Sequence, residues 1–337
     1  MASISSQKIT TVADLHCDLL TYLAMGKNSS IHSQDVIGAS YPFLKAGNVS
    51  LQVCAVFCLT QAGSYHLARK QAEIFTQLIE EEEFRPGRTL KEFSKTTDRL
   101  AIALHTSMEN ASGLLEEDES IHLLQKRLEE YIATVGKPLY ISFTHHLANR
   151  FGGGNYSENL PLAKDGEALL ALLDGRKIAV DLSHTSDALA EGILTEIEKQ
   201  RYEIPIIASH SNFRAICDHP RNLPDEFAKE IVHRKGLIGI NFVRDFVGPD
   251  DPKKLFSHIH YGMEEIGAKD VLAFGADFFD ETMIQHPERI PYFHPEHQNA
   301  SKYPEILQEM LGKSVGPKLI EKIASQNFMD FLARLEN

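Results

Sequence analysis

Histidine and aspartate side chains stand at the ends of three short apolar runs of the chain. They are His16 and Asp18 after the first run, His184 after a central run and His210 after the next. A strand that is buried on both faces does not need a terminal imidazole or carboxylate for its packing. The repeated polar endings therefore indicate a shared site. Histidine and aspartate together are ligands of zinc and similar hydrolytic metal ions. The pattern therefore predicts a metal-dependent hydrolase.

The elements that must position these residues form a repeating pattern. Eight short runs are apolar and rich in β-branched or aromatic residues, and the segments between them have the length and periodicity of helices. Apolar strands that alternate with helices are typical of a parallel sheet covered on both faces. The predicted strands are Ile9–Asp14, Leu51–Leu59, Leu100–Leu104, Leu139–Phe143, Ile178–Leu182, Ile204–Ala208, Leu237–Phe242 and Val271–Phe274. The predicted helices include Tyr65–Glu82, Ser120–Val135, Glu167–Leu173, Ser186–Lys199, Asp225–Arg234 and Lys254–Ile266.

Eight such repeats favour a closed α/β barrel, the (β/α)8 or TIM barrel, over an open doubly wound sheet. The first predicted strand is not followed by Gly-x-Gly-x-x-Gly, which argues against a dinucleotide site. Neither a linker nor an internal repeat interrupts the sequence, so residues 1–337 are predicted to form a single domain. The segment Tyr303–Asn337 is expected to form one or two C-terminal helices that pack outside the barrel.

Barrel enzymes place their active sites at the carboxyl ends of the strands. Most of the predicted strands end in a residue that can bind a metal or transfer a proton. Besides the residues named above, these endings include Glu109 after the third strand, His145 after the fourth and Asp277 after the eighth. Each one alone is interpretable as a capping residue, but their repetition at one rim favours a single active site.

The composition excludes several classes of function. The 337-residue chain carries a formal net charge of -13, which argues against non-specific binding of nucleic acid. No apolar stretch is long enough to cross a bilayer, and the first ten residues lack the apolar segment of a signal peptide. The cysteines Cys17, Cys54, Cys58 and Cys217 have no zinc-finger spacing and are predicted to be reduced. We therefore expect a cytoplasmic protein with no membrane partner.

Six stretches of the chain resemble, in the same order, the membrane (renal) dipeptidase family of zinc peptidases within the metal-dependent amidohydrolase superfamily. The segment from His210 to Arg221 and Asp225 is the most specific, because the ligand, the spacing and the arginine all match. The similar stretches are Asp14-Leu-His-Cys-Asp18, Ser142-Phe-Thr-His-His146, Val180-Asp-Leu-Ser-His-Thr-Ser186, Ala208-Ser-His-Ser211, Pro220-Arg-Asn-Leu-Pro-Asp225 and Phe274-Gly-Ala-Asp277.

The resemblance implies two zinc ions per chain. His16 and Asp18 would bind one ion, and His184 and His210 would bind the other. Glu109 would bridge both ions together with a water or hydroxide. Two neighbouring cations need a bridging anion to offset their repulsion, and a carboxylate supplies two oxygens for this purpose. The pKa of the bridging water would be low enough for attack on an amide carbonyl.

The same resemblance implies roles for further residues at the rim. His145 would contact the substrate and face the developing oxyanion, and Asp277 would pass the proton of the attacking water to the leaving amine. Arg221 would bind the free C-terminal carboxylate of a dipeptide, with a structural salt bridge as the alternative. Asn149 is a candidate substrate contact, whereas His146 is interpreted as structural.

Some positions depart from the family pattern. Cys17 stands inside the first motif, but alternation along a strand predicts that it points away from the two ligands beside it. Bulky residues surround Glu109 where the family has glycines, and Phe278 alters the loop after Asp277. These differences concern specificity more than chemistry. The segment Phe151–Tyr156 is expected to form a flexible loop over the mouth, or an ordinary exposed loop.

Three functions are consistent with the pattern. The first is a zinc-dependent dipeptidase that acts on small dipeptides. The second is another amidohydrolase reaction on the same barrel, such as that of a lactonase, a phosphotriesterase-like enzyme or an N-acyl-amino-acid deacylase. Against it, Thr144 and His145 occupy the end of the fourth strand, where a carbamylated lysine would be needed as the bridging ligand. The third is a non-catalytic metal- or peptide-binding barrel. Because many barrels of this superfamily self-associate, a homodimer is also an expectation.

Overall fold

The computed structural model describes residues 10–26, 28–94, 101–284 and 286–336. Within these residues the chain forms nine strands that pair in parallel. Eight of them correspond to the eight predicted runs, and β3 is additional. The strands are β1 Val12–Cys17, β2 Val49–Phe57, β3 Phe84–Pro86, β4 Ile102–Glu109, β5 Tyr140–Ser142, β6 Ala179–Asp181, β7 Ile206–Ile207, β8 Ile238–Ile240 and β9 Leu272–Phe274.

Helices follow the strands and cover the outside of the sheet. The longer ones begin and end within a few residues of the predicted helices, and α1, α2, α4 and α9 are additional short helices. The helices are α1 Leu19–Met25, α2 Tyr41–Ala46, α3 Ser64–Leu78, α4 Leu90–Ser94, α5 Leu123–Val135, α6 Lys164–Leu173, α7 Asp187–Gln200, α8 Asp225–His233, α9 Arg244–Val247, α10 Lys254–Glu264, α11 Tyr303–Gly312, α12 Pro317–Glu321 and α13 Asn327–Glu336. No helix in the described part of the chain is long and apolar enough to span a bilayer.

Eight strands make a nearly closed barrel, in the order β7, β6, β5, β4, β2, β1, β9, β8. Backbone hydrogen bonds bridge the remaining gap between β7 and β8: the Ala208 N–H donates to the Leu237 carbonyl, and the Gly239 N–H donates to the Ala208 carbonyl, both at 2.8 Å. The predicted (β/α)8 fold is therefore confirmed. Strand β3 pairs with the first half of β4, and the end of β4 pairs with β5.

Strand β1 contains a bulge beside its polar end. Asp14 and Cys17 pair with positions 52 and 54 of β2, so Leu15 and His16 together oppose a single residue. The Asp14 carboxylate accepts a hydrogen bond from the His16 backbone N–H at 2.8 Å. Leu15 packs in the barrel interior, and in a regular strand His16 would then point outward. Because a bulge inserts one extra residue, His16 faces inward as well.

Strand β4 is regular along its whole length and longer than predicted. It extends past the predicted end at Leu104 to Glu109, and it pairs with β2 without a register shift from Leu51–Ala103 to Phe57–Glu109. The residues between Leu104 and Glu109 are mostly polar, so a search for apolar runs misses this part of the strand. The predicted boundaries Ile9 and Leu100 lie outside the described residues.

The C-terminal segment covers the end of the barrel opposite to the strand carboxyl ends. Helix α13 packs apolar side chains against the barrel interior, among them Phe328, Phe331 and Leu332. The region contains α11, α12, a π-helical segment Lys322–Gln326 and α13, where one or two helices are expected. Tyr303 at the start of α11 donates a hydrogen bond to the carboxylate of Asp14, a residue of β1. The segment therefore also supports the strand that carries His16.

Candidate metal centre

The five predicted ligands converge at the carboxyl end of the barrel. Glu109 lies between them: its Oε1 is 2.8 Å from His184 Nε2 and 3.4 Å from His210 Nε2. Its Oε2 is 3.4 Å from His16 Nε2. Asp18 belongs to the same cluster, because its ligand atom and those of His16 and Glu109 all lie within 4.8 Å of one another. The predicted bridging residue thus stands between the two predicted ligand pairs.

The donor atoms of this cluster fit divalent cations. His16 Nε2 and Asp18 Oδ1 are buried and have no hydrogen-bond partner among the described residues, whereas buried polar atoms normally have one. His184 Nε2 and His210 Nε2 approach each other to 2.9 Å. Imidazole nitrogens and carboxylate oxygens form the donor set that zinc prefers in hydrolytic sites.

The charges of the site also favour a cation. Burial would lower the pKa of His16, but the carboxylates of Glu109 and Asp277 raise that pKa to about 10. The surroundings of His16 Nε2 therefore attract positive charge. Burial holds the pKa values of His184 and His210 well below the ordinary range. Both rings are neutral at physiological pH, which is the form that binds a metal.

Hydroxyl groups orient the rings of two predicted ligands. The Tyr140 hydroxyl lies 2.7 Å from His16 Nδ1 and donates to a backbone carbonyl of β1. Ser209 Oγ lies 2.6 Å from His210 Nδ1 and donates to Asp181 Oδ2 at 2.6 Å. Each hydroxyl thus accepts the Nδ1 proton, which leaves Nε2 free for a metal ion. Such outer partners fix the tautomer and the ring plane of a ligand.

His145 follows β5 and lies beside the cluster. Its ring centroid is 4.3 Å from that of His184 and 4.7 Å from that of Phe57. Burial lowers its pKa to about 4, so the ring is neutral. A Cβ atom on Gly154 would lie 2.5 Å from the His145 carbonyl oxygen, so this close backbone approach requires glycine. Residues 151–155 are buried and Tyr156 is 40% exposed, so the expectation of an exposed loop is wrong for all but the last residue of Phe151–Tyr156.

Two residues at the rim have backbone angles that side chains rarely adopt. His184 has φ of 67° and Asp277 has φ of 65°. Left-handed angles at residues other than glycine store strain, which is concentrated at functional sites. Asp277 Oδ1 lies 3.6 Å from His16 Nε2, and its Oδ2 accepts a hydrogen bond from Asn241 Nδ2 at 2.9 Å. Burial raises the pKa of Asp277 to about 6, a range suited to proton exchange near neutral pH.

Arg221 is buried at the edge of the site, with 3% of its surface exposed. Its guanidinium donates to Ser211 Oγ at 3.1 Å and to the His210 carbonyl at 3.0 Å, and its Nε has no partner among the described residues. Within that part of the chain no carboxylate lies at ion-pair distance from it, so the described residues form no structural salt bridge with Arg221. A buried cation without an anion is costly, and this one lies next to a predicted metal ligand.

Asn149 is nearby, but its amide is already engaged. Its Nδ2 donates to the Phe143 carbonyl at 2.8 Å and to Asn110 Oδ1 at 3.0 Å, and its Oδ1 accepts from the Phe151 N–H at 2.8 Å. These bonds join the loop after β5 to the end of β4. A direct substrate contact by Asn149 stays a prediction without structural support.

Several residues of the site are not recognisable from the sequence alone. Tyr140 lies in an apolar run and carries no sequence signal of its role, and Asp181 sits within a predicted strand. Asn241 could be found, because it is a polar residue at the end of the seventh predicted strand. His146 could also be found by its place next to His145.

Comparison with known proteins identifies the family. The profile of the membrane dipeptidase family, peptidase family M19, matches residues 5–337. The chain belongs to this family. Among curated relatives, dipeptidase aclJ of Aspergillus oryzae is 27% identical over 206 residues, and dipeptidase ataJ of Aspergillus terreus is 31% identical over 163 residues. These matches cover 59% and 47% of this chain but only 45% and 36% of the relatives, so the chain aligns with less than half of each.

Solved structures agree on the fold. A metallo peptidase from Rhodobacter sphaeroides, liganded with a phosphinate mimic of the dipeptide L-Ala-D-Ala, superposes with a TM-score of 0.80 at 18% identity. That match covers 96% of this chain and 99% of the other. The probable dipeptidase PvdM from Pseudomonas aeruginosa superposes with a TM-score of 0.77 at 16% identity, over 97% of this chain and 95% of that protein. The membrane dipeptidase barrel is therefore present along the described chain.

Proposed function

We propose that this protein of the membrane dipeptidase family is a zinc-dependent dipeptidase that holds two ions. His16 and Asp18 would bind one ion, His184 and His210 the other, and Glu109 both. The support is the placement of Glu109 between the two ligand pairs. When bound, zinc ions lower the pKa of a coordinated water and polarise a carbonyl group.

The residues around the ligands would supply the remaining chemistry. Asp277 lies 3.6 Å from His16 Nε2 and is held by Asn241, so its carboxylate is placed to receive a proton from water and to return it to the leaving amine. His145 would donate to the carbonyl oxygen of the substrate, because its ring is neutral and borders the cluster.

The observation that carries the choice of substrate is the isolated charge of Arg221. A buried guanidinium without a carboxylate partner among the described residues would be matched by the free C-terminal carboxylate of a dipeptide, which forms a charge-assisted pair with it. The pair would hold the substrate beside the His210 carbonyl, to which Arg221 donates. The names of the curated relatives, dipeptidases aclJ and ataJ, agree with this substrate class.

The experiment compares dipeptides with their C-terminal amides on the wild-type protein and on Arg221→Ala. We expect kcat/KM for free dipeptides to fall about 30-fold or more in the variant, because losing one partner of a buried charge pair costs about 2 kcal/mol or more. The amides should lose little, since they lack the charge. An equal loss for both substrates would contradict the carboxylate clamp.

A second measurement tests the proton transfer. Asp277→Asn should lower kcat by about 10²–10⁴-fold while elemental analysis still finds two zinc ions per chain, because the carboxylate acts as a base and not as a ligand. A panel of lactones and N-acyl amino acids, run beside the dipeptides, identifies the reaction. Loss of zinc from the variant, or preference for a lactone, would count against the proposal.

A further inference from the structure

A second group of imidazoles adjoins the proposed pair of ions. His145, His146 and His184 bring their ring nitrogens within 4.8 Å of one another. His184 uses its two nitrogens on different sides: Nε2 faces Glu109 at 2.8 Å, and Nδ1 faces His146 Nδ1 at 3.3 Å. His145 and His146 are half-buried, so this side of the cluster can be reached from the mouth. The dipeptidase mechanism uses neither His146 nor the Nδ1 atom of His184.

The hydrogen bonds of this group are longer than the usual length of about 2.9–3.0 Å. His146 Nδ1 lies 3.3 Å from His184 Nδ1 and 3.2 Å from Asn155 Oδ1. A ring nitrogen carries either one proton or one lone pair, so His146 Nδ1 makes at most one shared, three-centre hydrogen bond over these two distances. The Asn155 Nδ2 atom is itself buried without a partner among the described residues.

The spacing of these donors fits a zinc ion. Two Zn–N bonds of about 2.0–2.1 Å at a tetrahedral angle separate their nitrogens by about 3.3–3.4 Å. The 3.3 Å between His146 Nδ1 and His184 Nδ1 matches this separation, and Asn155 Oδ1, 3.2 Å from His146 Nδ1, is a third oxygen or nitrogen donor. Neutral imidazoles are preferred ligands of zinc and copper but poor ligands of magnesium or calcium.

We propose that His146, together with His184 Nδ1 and Asn155, forms a third, inhibitory zinc site next to the proposed catalytic pair. An ion on His184 Nδ1 displaces the proton of that nitrogen to solvent, and His184 then joins the inhibitory ion to the neighbouring catalytic ion. The ion lies against His145, whose ring centroid is 3.9 Å from that of His146. It therefore blocks the position at which the substrate carbonyl contacts His145. The inhibition and the count of three ions rest on the proposed function, but the dependence of zinc binding on His146 does not.

The test titrates free zinc, held by a metal buffer, into the full-length protein already loaded with two zinc ions. Bound zinc is measured by equilibrium dialysis, and dipeptide hydrolysis is measured at the same free zinc concentrations. We expect a third equivalent to bind as hydrolysis falls by about tenfold or more, and hydrolysis to recover when free zinc is lowered. Magnesium at the same concentrations should not inhibit.

Variants of His146 test whether this residue binds the third zinc ion. His146→Gln should retain two zinc ions, fail to bind the third and shift the midpoint of inhibition by at least about tenfold. His146→Phe, which preserves the ring stacked on Tyr156 at 4.3 Å, should behave in the same way and guards against a folding defect. His233→Gln removes an exposed histidine of α8, whose side chain is 82% exposed, and should leave both binding and inhibition unchanged.

Three outcomes would overturn the inference: absence of a third equivalent in the wild-type protein, an unchanged midpoint in both His146 variants, or loss of one of the first two ions from these variants. The last result would mean that His146 supports His184 as a ligand instead. Failure of the dipeptidase proposal is distinguishable, because the protein would then hydrolyse no dipeptide while the third equivalent and its dependence on His146 persisted.

Discussion

Strands β1 and β4 each deliver a predicted metal ligand to the same point, but they do so in different ways. Strand β4 is regular, and alternation from the interior residue Ala103 places Glu109 inside the barrel. Strand β1 has a bulge, and without it His16 would point toward the surrounding helices. A regular strand needs only its sequence pattern to aim a side chain, whereas a bulged strand also needs groups that stabilise the irregularity.

The additional groups around β1 come from distant parts of the chain. The Asp14 carboxylate accepts hydrogen bonds from the His16 N–H, from Gln52 Nε2 at 3.1 Å and from the Ala276 N–H at 3.2 Å, besides the one from Tyr303. Its neighbours thus belong to β1, β2, the end of β9 and the C-terminal segment. The position of His16 therefore depends on two neighbouring strands and the C-terminal segment as well as on β1, while that of Glu109 depends mainly on its own strand.

The largest effect is expected at the regular strand, because Glu109 contacts both ligand pairs. Glu109→Gln should leave β4 intact and the protein folded, yet reduce bound zinc to one ion per chain or fewer and reduce dipeptide hydrolysis to background. The physical reason is that the amide removes the negative charge that offsets the repulsion of two cations. Elemental analysis and thermal unfolding measure the two quantities.

The matched control is Glu116→Gln, which changes a carboxylate of the loop after β4 that accepts from the Gly63 and Tyr65 N–H groups. It should keep both ions. Retention of two zinc ions by Glu109→Gln would show that the carboxylate is not the bridge.

The same contrast explains what the sequence could predict. The eight strands and most long helices follow from apolar periodicity, and His184 and Asp277 follow from their places just after predicted strands. Glu109 lies five residues past the predicted end of its strand, and the family resemblance is what implies its role as the bridge. The bulge does not follow from the sequence, because an extra residue in one strand of a parallel pair has no recognisable sequence pattern. Nor does the role of Tyr140, since a tyrosine in an apolar run is equally suited to packing.

The next effect in size concerns the bulge itself. Asp14→Asn should lower the free energy of unfolding by about 2 kcal/mol or more, because an amide cannot accept from all the donors that now face the carboxylate. The bulge should lose its support, and the zinc affinity of the ion nearest His16 should fall about 10–100-fold. Chemical denaturation and competition with a chelator measure these changes.

Cys17→Ala is the control for this strand. Cys17 is buried on the outer side of β1 among the helices, with its Sγ 3.9 Å from Cys54 Sγ. The variant should lose some stability by leaving a small cavity but keep its zinc affinity. If Asp14→Asn is less stable but binds zinc as tightly as the wild type, the Asp14 carboxylate does not determine the orientation of His16.

The smallest effect is expected at Tyr140. Its hydroxyl contacts the ring of His16, whereas the bulge determines the direction in which the His16 side chain points. Tyr140→Phe should weaken the nearest zinc ion about tenfold and cost about 1 kcal/mol of stability, because His16 Nδ1 loses its partner at 2.7 Å. Tyr131→Phe is the matched control: it also removes a buried hydroxyl, one that donates to the Ser107 carbonyl of β4 at 3.0 Å. Both variants should lose similar stability, but only Tyr140→Phe should release zinc more readily to a chelator. Equal zinc affinity in the two would mean that the backbone bulge alone fixes His16, and that its ring needs no partner beyond the metal.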